Sequence, residues 1–233
     1  MSRSAKVVFM LDVDNTLLDN DRFEADLSVY LENEFHDHDG ARYWALYEAV
    51  RAERGYADYL ATLQSYRMEV KDQPQWMMMS SFLLDYPFAE RLYPDALNVI
   101  NLLRSHGETV ILSDGDAVFQ PRKIQRSGLW DAVDGRVLIY LHKEQMMDDI
   151  RQRYPGHHHV MVDDKLSILE AMKKIWGTHL TTVFPRQGHY ALDPDKTAGH
   201  APADITIERL GDLMNSNLAA LAVSAAQTNQ EKP

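Results

Sequence analysis

Short apolar runs punctuate this chain, and stretches with helical spacing separate them. Val7-Val8-Phe9-Met10-Leu11 is apolar at every position, the pattern of a strand buried on both faces of a parallel sheet. Thr109–Ser113, Arg136–Tyr140, His159–Asp163 and Leu180–Phe184 read as further strands, and Ile205–Ile207 as a short sixth at an edge. A helix is predicted from Pro94, with Asp95 in its first turn, Ala96, Val99, Ile100 and Leu103 as its apolar face, and Gly107 as its C-cap. Gln120–Ser127 is a second, stopped by Gly128; Lys143–Tyr154 a third, stopped by Pro155-Gly156; Leu166–Trp176 a fourth, stopped by Gly177. A last helix is expected over Ile207–Leu213. Strands alternating with helices predict a doubly wound, Rossmann-like parallel α/β sheet with right-handed crossovers.

Residues 21–87 break this alternation. Phe23, Leu27, Tyr30 and Leu31 have helical spacing, as do Tyr43, Leu46, Tyr47 and Val50, and Tyr56, Tyr59, Leu60 and Leu63. With Gly40, Gly55 and Pro74 as punctuation, the segment predicts an all-helical insertion whose aromatic residues pack a core. Trp76 and Met77-Met78-Met79 are expected to pack there too. The α/β core is then expected over 1–20 and 88–223, with a flexible tail at 224–233.

Composition narrows the function. The 233 residues are enough for one sizeable core with an insertion, and a formal net charge of -11 argues against nucleic acid and anionic membranes as partners. An anionic substrate would need local positive charge. The absence of cysteine excludes disulfides, a thiolate nucleophile and a Cys-based zinc site. The apolar run after Lys6 is too short for a secretion signal, so a cytoplasmic location is the expectation. Oligomeric state is not legible.

The acids fall at strand ends. Asp12 and Asp14 follow the first strand, Ser113-Asp114-Gly115-Asp116 the second, and Asp163-Asp164 the fourth. In open parallel sheets ligands bind beyond the carboxyl ends of the strands. If these strands are neighbours, the carboxylates of Asp12, Asp14, Asp163 and Asp164 are expected to gather around one cation. An all-oxygen site suits Mg²⁺ better than zinc or copper. Continued strand geometry would aim Asp12 and Asp14 the same way, one to attack and the other to move a proton. Thr16 can hold the turn that follows.

This set resembles the haloacid-dehalogenase superfamily. Asp12, Asp14 and Thr16 match its Asp-x-Asp-x-Thr motif, Ser113 its strand-end hydroxyl, and Asp163-Asp164 its acidic pair. Lys143 lies at the distance of the family lysine. Glu144 follows it where the family often has Pro, and Lys123 is a rival for the role. The resemblance spans roughly residues 5 to 210. It implies a magnesium-dependent phosphatase acting on a small phosphorylated metabolite. In it Asp12 forms an aspartyl-phosphate, Asp14 is the general acid and base, and Ser113, Asp114 and Lys143 surround the phosphoryl group. Mg²⁺ would be held by the Asp12 side chain, the Asp14 carbonyl and Asp164, with Asp163 bound directly or supporting them. The insertion resembles a type-one cap that closes over the site. The alternatives are a phosphomutase, a dehalogenase, which generally lacks the second Asp, and a non-catalytic binding protein on the same fold.

Two other features carry expectations. His157-His158-His159 is read as a turn and strand start at the end of the sheet away from the acids. Pro185–Pro202 is read as a long loop on the acid side, placing Arg186, His189 and Tyr190 beside the site.

Overall fold

The first strand, β1 (Val7–Leu11), has no polar side chain and is buried along its whole length. Alternation sends Val8 and Met10 to one face and Val7, Phe9 and Leu11 to the other, and the two sets belong to two separate apolar clusters. A strand of this composition therefore sits in the middle of a sheet covered on both sides. The structure, a computed structural model, describes residues 7–34, 39–69 and 73–216.

Among the described residues β1 is followed by four helices, α1 (Asn20–Glu34), α2 (Asp39–Arg54), α3 (Tyr59–Glu69) and α4 (Gln73–Asp85). The alternating part runs α5 (Ala96–His106), β2 (Glu108–Asp114), α6 (Phe119–Arg126), α7 (Leu129–Ala132), β3 (Val137–Tyr140), α8 (Met147–Arg153), β4 (His158–Val162), α9 (Leu166–Trp176) and β5 (Leu180–Pro185). Two short helices, α10 (Gly188–Leu192) and α11 (Pro194–Thr197), precede the edge strand β6 (Ile205–Ile207). The strand order is β3-β2-β1-β4-β5-β6 with every pairing parallel. The chain winds outward from β1 to β3, then returns to β4 on the other side of β1. This reversal opens a crevice at the carboxyl ends of β1 and β4.

The helical segment α1–α4 shares its apolar core with one face of the sheet, since Phe23, Tyr43, Tyr59 and Tyr66 belong to the same cluster as Phe9 and Leu11. Phe23 is the centre, with ring centroids 5.3 Å from Tyr59, 5.0 Å from Tyr86, 5.3 Å from Phe88 and 5.8 Å from Phe119. The methionine triplet is only partly core: Met79 is buried, whereas Met77 and Met78 are exposed because successive helical positions face different ways.

Three sequence expectations change. Lys143–Tyr154 is not one helix: a 3-10 turn over Lys143–Gln145 and α8 are separated at Met146, whose φ of -103° and ψ of 21° leave helical geometry. Residues 185–202 are not a structureless loop. Asp193 caps α11 by accepting the Asp195 N–H, with Pro194 in the first turn, a signal legible in the chain. The last helix is a 3-10 turn over Leu210–Asn215 that starts later than expected. The expected tail at 224–233 lies outside the described residues. Among the described residues, no helix is long and apolar enough to cross a membrane.

His158 and His159 do open β4, at the end opposite the acids. His158 shares a 2.8 Å hydrogen bond with Thr181 Oγ1, and His159 packs on Trp176. Burial, with the nearby His159 and Lys173 charges adding, pushes the His158 imidazole down to about 4. Its unfolded value is 6.5, so between these values the unfolded chain takes a proton that the fold refuses. The stability that neutral His158 supports is present above 6.5 and lost as pH falls toward 4. Comparing wild type with His158→Gln by urea denaturation, the expected result is a wild-type stability that drops by about 2 kcal/mol more than the variant's between pH 7 and 4.5.

Candidate active site

Register sets the first contact. Leu11 pairs with Val162, and the Asp12 N–H continues the ladder to the Val162 carbonyl at 3.0 Å, so Asp12 and Asp163 leave neighbouring strands side by side. The backbone then turns sharply. Val13 O accepts the N–H groups of Leu17 and Leu18, and Asn15 takes a positive φ of 59°, which a short polar residue tolerates. Asn15 Oδ1 accepts the N–H groups of Asn20 and Asp21, satisfying free donors at the start of α1. Thr16, fully buried, accepts the Asp164 N–H on its hydroxyl at 3.1 Å and ties the loop after β4 to the turn after β1. Gln187 braces the same turn from the other side, donating to the Asn15 and Thr16 carbonyls.

Asp12, Asp163 and Asp164 are all buried, and one potential ligand atom from each lies within 4.8 Å of the others. The Lys143 ammonium donates to Asp12 Oδ1 at 2.5 Å, lies 2.6 Å from Asp163 Oδ2 and reaches the Leu112 carbonyl at 3.4 Å. Lys143 therefore stands against the nucleophile candidate, and Lys123 does not: it lies against Asp14. Asp163 Oδ1 also accepts the Lys165 N–H. Both carboxylate oxygens of Asp164 are buried with no hydrogen-bond partner. Burial raises the Asp12 carboxyl to about 7; the Lys143 charge opposes the rise and Asp163 adds to it. Burial likewise pushes Asp164 far up, against the pull of Lys165 and with a push from Asp163. One ammonium does not satisfy three buried carboxylates. The donor set is all oxygen, so Asp12, Asp163 and Asp164 fit a hard divalent cation.

The expected fourth carboxylate is elsewhere. Asp14 is not in the acidic group found among the described residues. Beyond Leu11 the chain is no longer a strand, so the two-residue alternation does not carry the Asp14 side chain to its neighbour's position. Its Oδ1 takes a 2.6 Å contact from Lys123 Nζ and its Oδ2 a 3.2 Å bond from Gln120 Nε2. Gln120 also donates to Ser113 Oγ at 2.9 Å. The Asp114 carboxylate accepts the Lys143 N–H at 2.7 Å, which holds the lysine's turn rather than presenting a donor to an anion.

Asp14 opens onto two adjoining cavities of ≈ 280 Å³ and ≈ 190 Å³. Both are lined by Arg51 and Tyr59 from the helical segment and by Lys165 and Tyr190 from the sheet side. Arg51 reaches the Tyr190 hydroxyl, and the Lys165 ammonium lies 4.5 Å from the same ring. Of the residues expected from the 185–202 segment, Tyr190 and His189 line cavity walls, whereas Arg186 pairs with the exposed Glu208. Gln120, Gln187 and Arg51 were not anticipated. Gln120 stands three residues before Lys123 on α6, and both are buried; a polar pair at helical spacing just after a strand-end motif is the signal that could have found it.

No protein-family model and no curated protein matches the chain. Solved structures do. A haloacid dehalogenase-like hydrolase from Burkholderia xenovorans is 58% identical, with 94% of this chain and 99% of that chain covered and a TM-score of 0.88. A haloacid dehalogenase-like family hydrolase from Xanthomonas campestris is 16% identical over 98% of this chain and 97% of that one, with a TM-score of 0.67. A hydrolase of the same kind from Bacillus subtilis, bound to magnesium, is 16% identical over 91% and 98%, with a TM-score of 0.60. The last two share the fold. The first shows the family: the chain belongs to the haloacid dehalogenase-like hydrolases.

The Thr16–Asp164 link is open to a direct check. Thr16→Val keeps the shape but leaves the buried Asp164 N–H without its acceptor. Loss of about 1–3 kcal/mol of stability is expected in chemical denaturation.

Proposed function

We propose that the chain is a magnesium-dependent phosphomonoester hydrolase acting on a small phosphorylated metabolite. The observation that carries this reading is Asp164, whose two buried oxygens lack partners beside Asp12 and Asp163. A dehalogenase using Asp12 alone has no need of that cluster. A divalent cation held by Asp12, Asp164 and Asp163 would supply the positive charge that lets an anionic nucleophile meet an anionic phosphate. That the Bacillus subtilis relative is bound to magnesium favours this ion.

The chain's own residues then divide the work. The Asp12 carboxylate attacks phosphorus, and the bond from phosphorus to the ester oxygen breaks as an aspartyl-phosphate forms. Asp14 gives its proton to the departing oxygen, then takes one from the water that attacks the aspartyl-phosphate. Asp12 is restored and inorganic phosphate leaves. Lys143 and the Ser113 hydroxyl face the phosphoryl oxygens and support charge spread over them. The α1–α4 segment, contributing Arg51 and Tyr59 to the cavity walls, acts as the cap that contacts the rest of the substrate.

The test is turnover of p-nitrophenyl phosphate. Phosphate release is expected with Mg²⁺, absent with EDTA and restored on adding Mg²⁺ back. Asp12→Asn is expected to lower kcat by about 10³-fold or more. Halide release from a 2-haloacid without metal, and no phosphate release from any ester, would overturn the reading. Binding is checked separately. Mg²⁺ at about 100 times its Kd is expected to stabilise the wild type by about 2.7 kcal/mol in thermal or urea unfolding, and Asp164→Asn to lose most of that gain.

A further inference from the structure

Among the described residues Lys123 is a lysine sealed inside the protein, with no solvent exposure. It projects from α6, and its ammonium has two oxygen partners, Asp14 Oδ1 at 2.6 Å and Asn20 Oδ1 at 2.9 Å. The rest of its surroundings is aromatic. Nζ lies 5.8 Å from the ring centroid of Phe23, 5.9 Å from Tyr59, 5.8 Å from Phe88 and 5.2 Å from Phe119. Ring faces of this kind attract a cation. An ammonium is nevertheless costly to bury, and an apolar side chain of the same length would fill the box without that cost. Packing alone does not account for it.

Its partner does. Asp14 is the one carboxylate of the Asp12–Asp14 pair that faces the cavities, its side chain 31% exposed against 8% for Asp12. Lys123 holds one oxygen of Asp14 and Gln120, one helical turn earlier, holds the other. The two residues hold the carboxylate from α6, one at each oxygen. The box around the ammonium is built from both parts of the chain. Asn20 and Phe23 come from α1 and Tyr59 from α3, while Phe119 comes from α6. The clamp is complete only with the helical segment seated against α6.

We propose that Lys123 is a positioning residue for proton transfer, which aims the Asp14 carboxylate at the ester oxygen and couples that aim to the docking of α1 and α3. It touches neither substrate nor the phosphoryl group and acts through Asp14. The proposal rests on the phosphatase reading above. A carboxyl group held in place, protonated when the substrate binds, reaches the leaving oxygen without reorientation, gives it that proton and is left as the carboxylate that takes one from the attacking water. Proton donation matters most where the leaving oxygen is strongly basic, and least where it departs readily as an anion.

The experiment compares two esters with Lys123→Met, an apolar substitute of similar length that keeps the box filled. With saturating Mg²⁺, kcat for glycerol phosphate is expected to fall by about 10²-fold. For p-nitrophenyl phosphate, whose leaving group needs little protonation, the fall is expected to stay within about 5-fold, with KM unchanged for both. Adding Lys123→Met to Asp14→Asn is expected to cost nothing further on glycerol phosphate, because the lysine acts only through that carboxylate. Asn20→Ala, which leaves the lysine in place and removes its second oxygen partner, is expected to show the same ester-dependent pattern more weakly, and serves if Lys123→Met does not fold. Equal losses on the two esters, a change confined to KM, or additive losses in the double variant would overturn the positioning role while leaving the phosphatase reading intact. A wild-type protein that releases phosphate from no ester would overturn both.

Discussion

Three buried carboxylates gather at the carboxyl ends of β1 and β4, and the Lys143 ammonium contacts two of them, Asp12 and Asp163, an imbalance on which the surrounding structure bears. Carboxylates this close repel, and burial removes the water that would screen them. Each support found nearby limits the damage. Thr16 ties the Asp164 backbone down, Asp114 fixes the Lys143 turn, and the Lys165 N–H takes one oxygen of Asp163. What remains without a hydrogen-bond partner is Asp164, whose buried oxygens, with those of Asp12 and Asp163, fit a hard cation. The cost of assembling this cluster is borne by a sheet whose central strand is apolar on both faces.

The two aspartates of the first motif illustrate how two residues of one type acquire different work from their surroundings. Asp12 is still in register with the sheet, so it meets Asp163 and Lys143. Asp14 is past the strand end, so it meets α6. The first environment suits a nucleophile beside a metal. The second keeps a carboxylate fixed at the cavity wall, where a proton can be exchanged with a bound molecule. The two lysines follow the same division. Lys143 stands against Asp12 and Asp163, and Lys123 against Asp14.

The helical segment contributes more than a cover. Its aromatic core is continuous with one face of the sheet through Phe23, Phe88 and Phe119. Arg51 and Tyr59 enter the cavity walls from it, and Tyr190 meets Arg51 from the sheet side. The cavities beside Asp14 therefore lie at a seam between two parts of the chain, and both parts supply their walls.

Periodicity and strand-end chemistry alone determined the parallel sheet, the helical interruption after β1, and the presence of acids beyond β1, β2 and β4. These are local properties: an apolar run has to be buried, and Asp-x-Asp-x-Thr at its end has to emerge on the ligand side. The division of 143–154 into a turn and a helix, the two short helices in 185–202, and the placing of Lys143 against Asp12 and of Lys123 against Asp14 were decided by the tertiary structure. So was the separation of Asp14 from the other three acids. Those depend on which strand lies beside which, and on where the chain stops being a strand. Residues far apart in the chain, such as Asp14 and Lys123 or Arg51 and Tyr190, carry no mark of their partnership, because their contact exists only once the sheet has closed and the helices have packed against it.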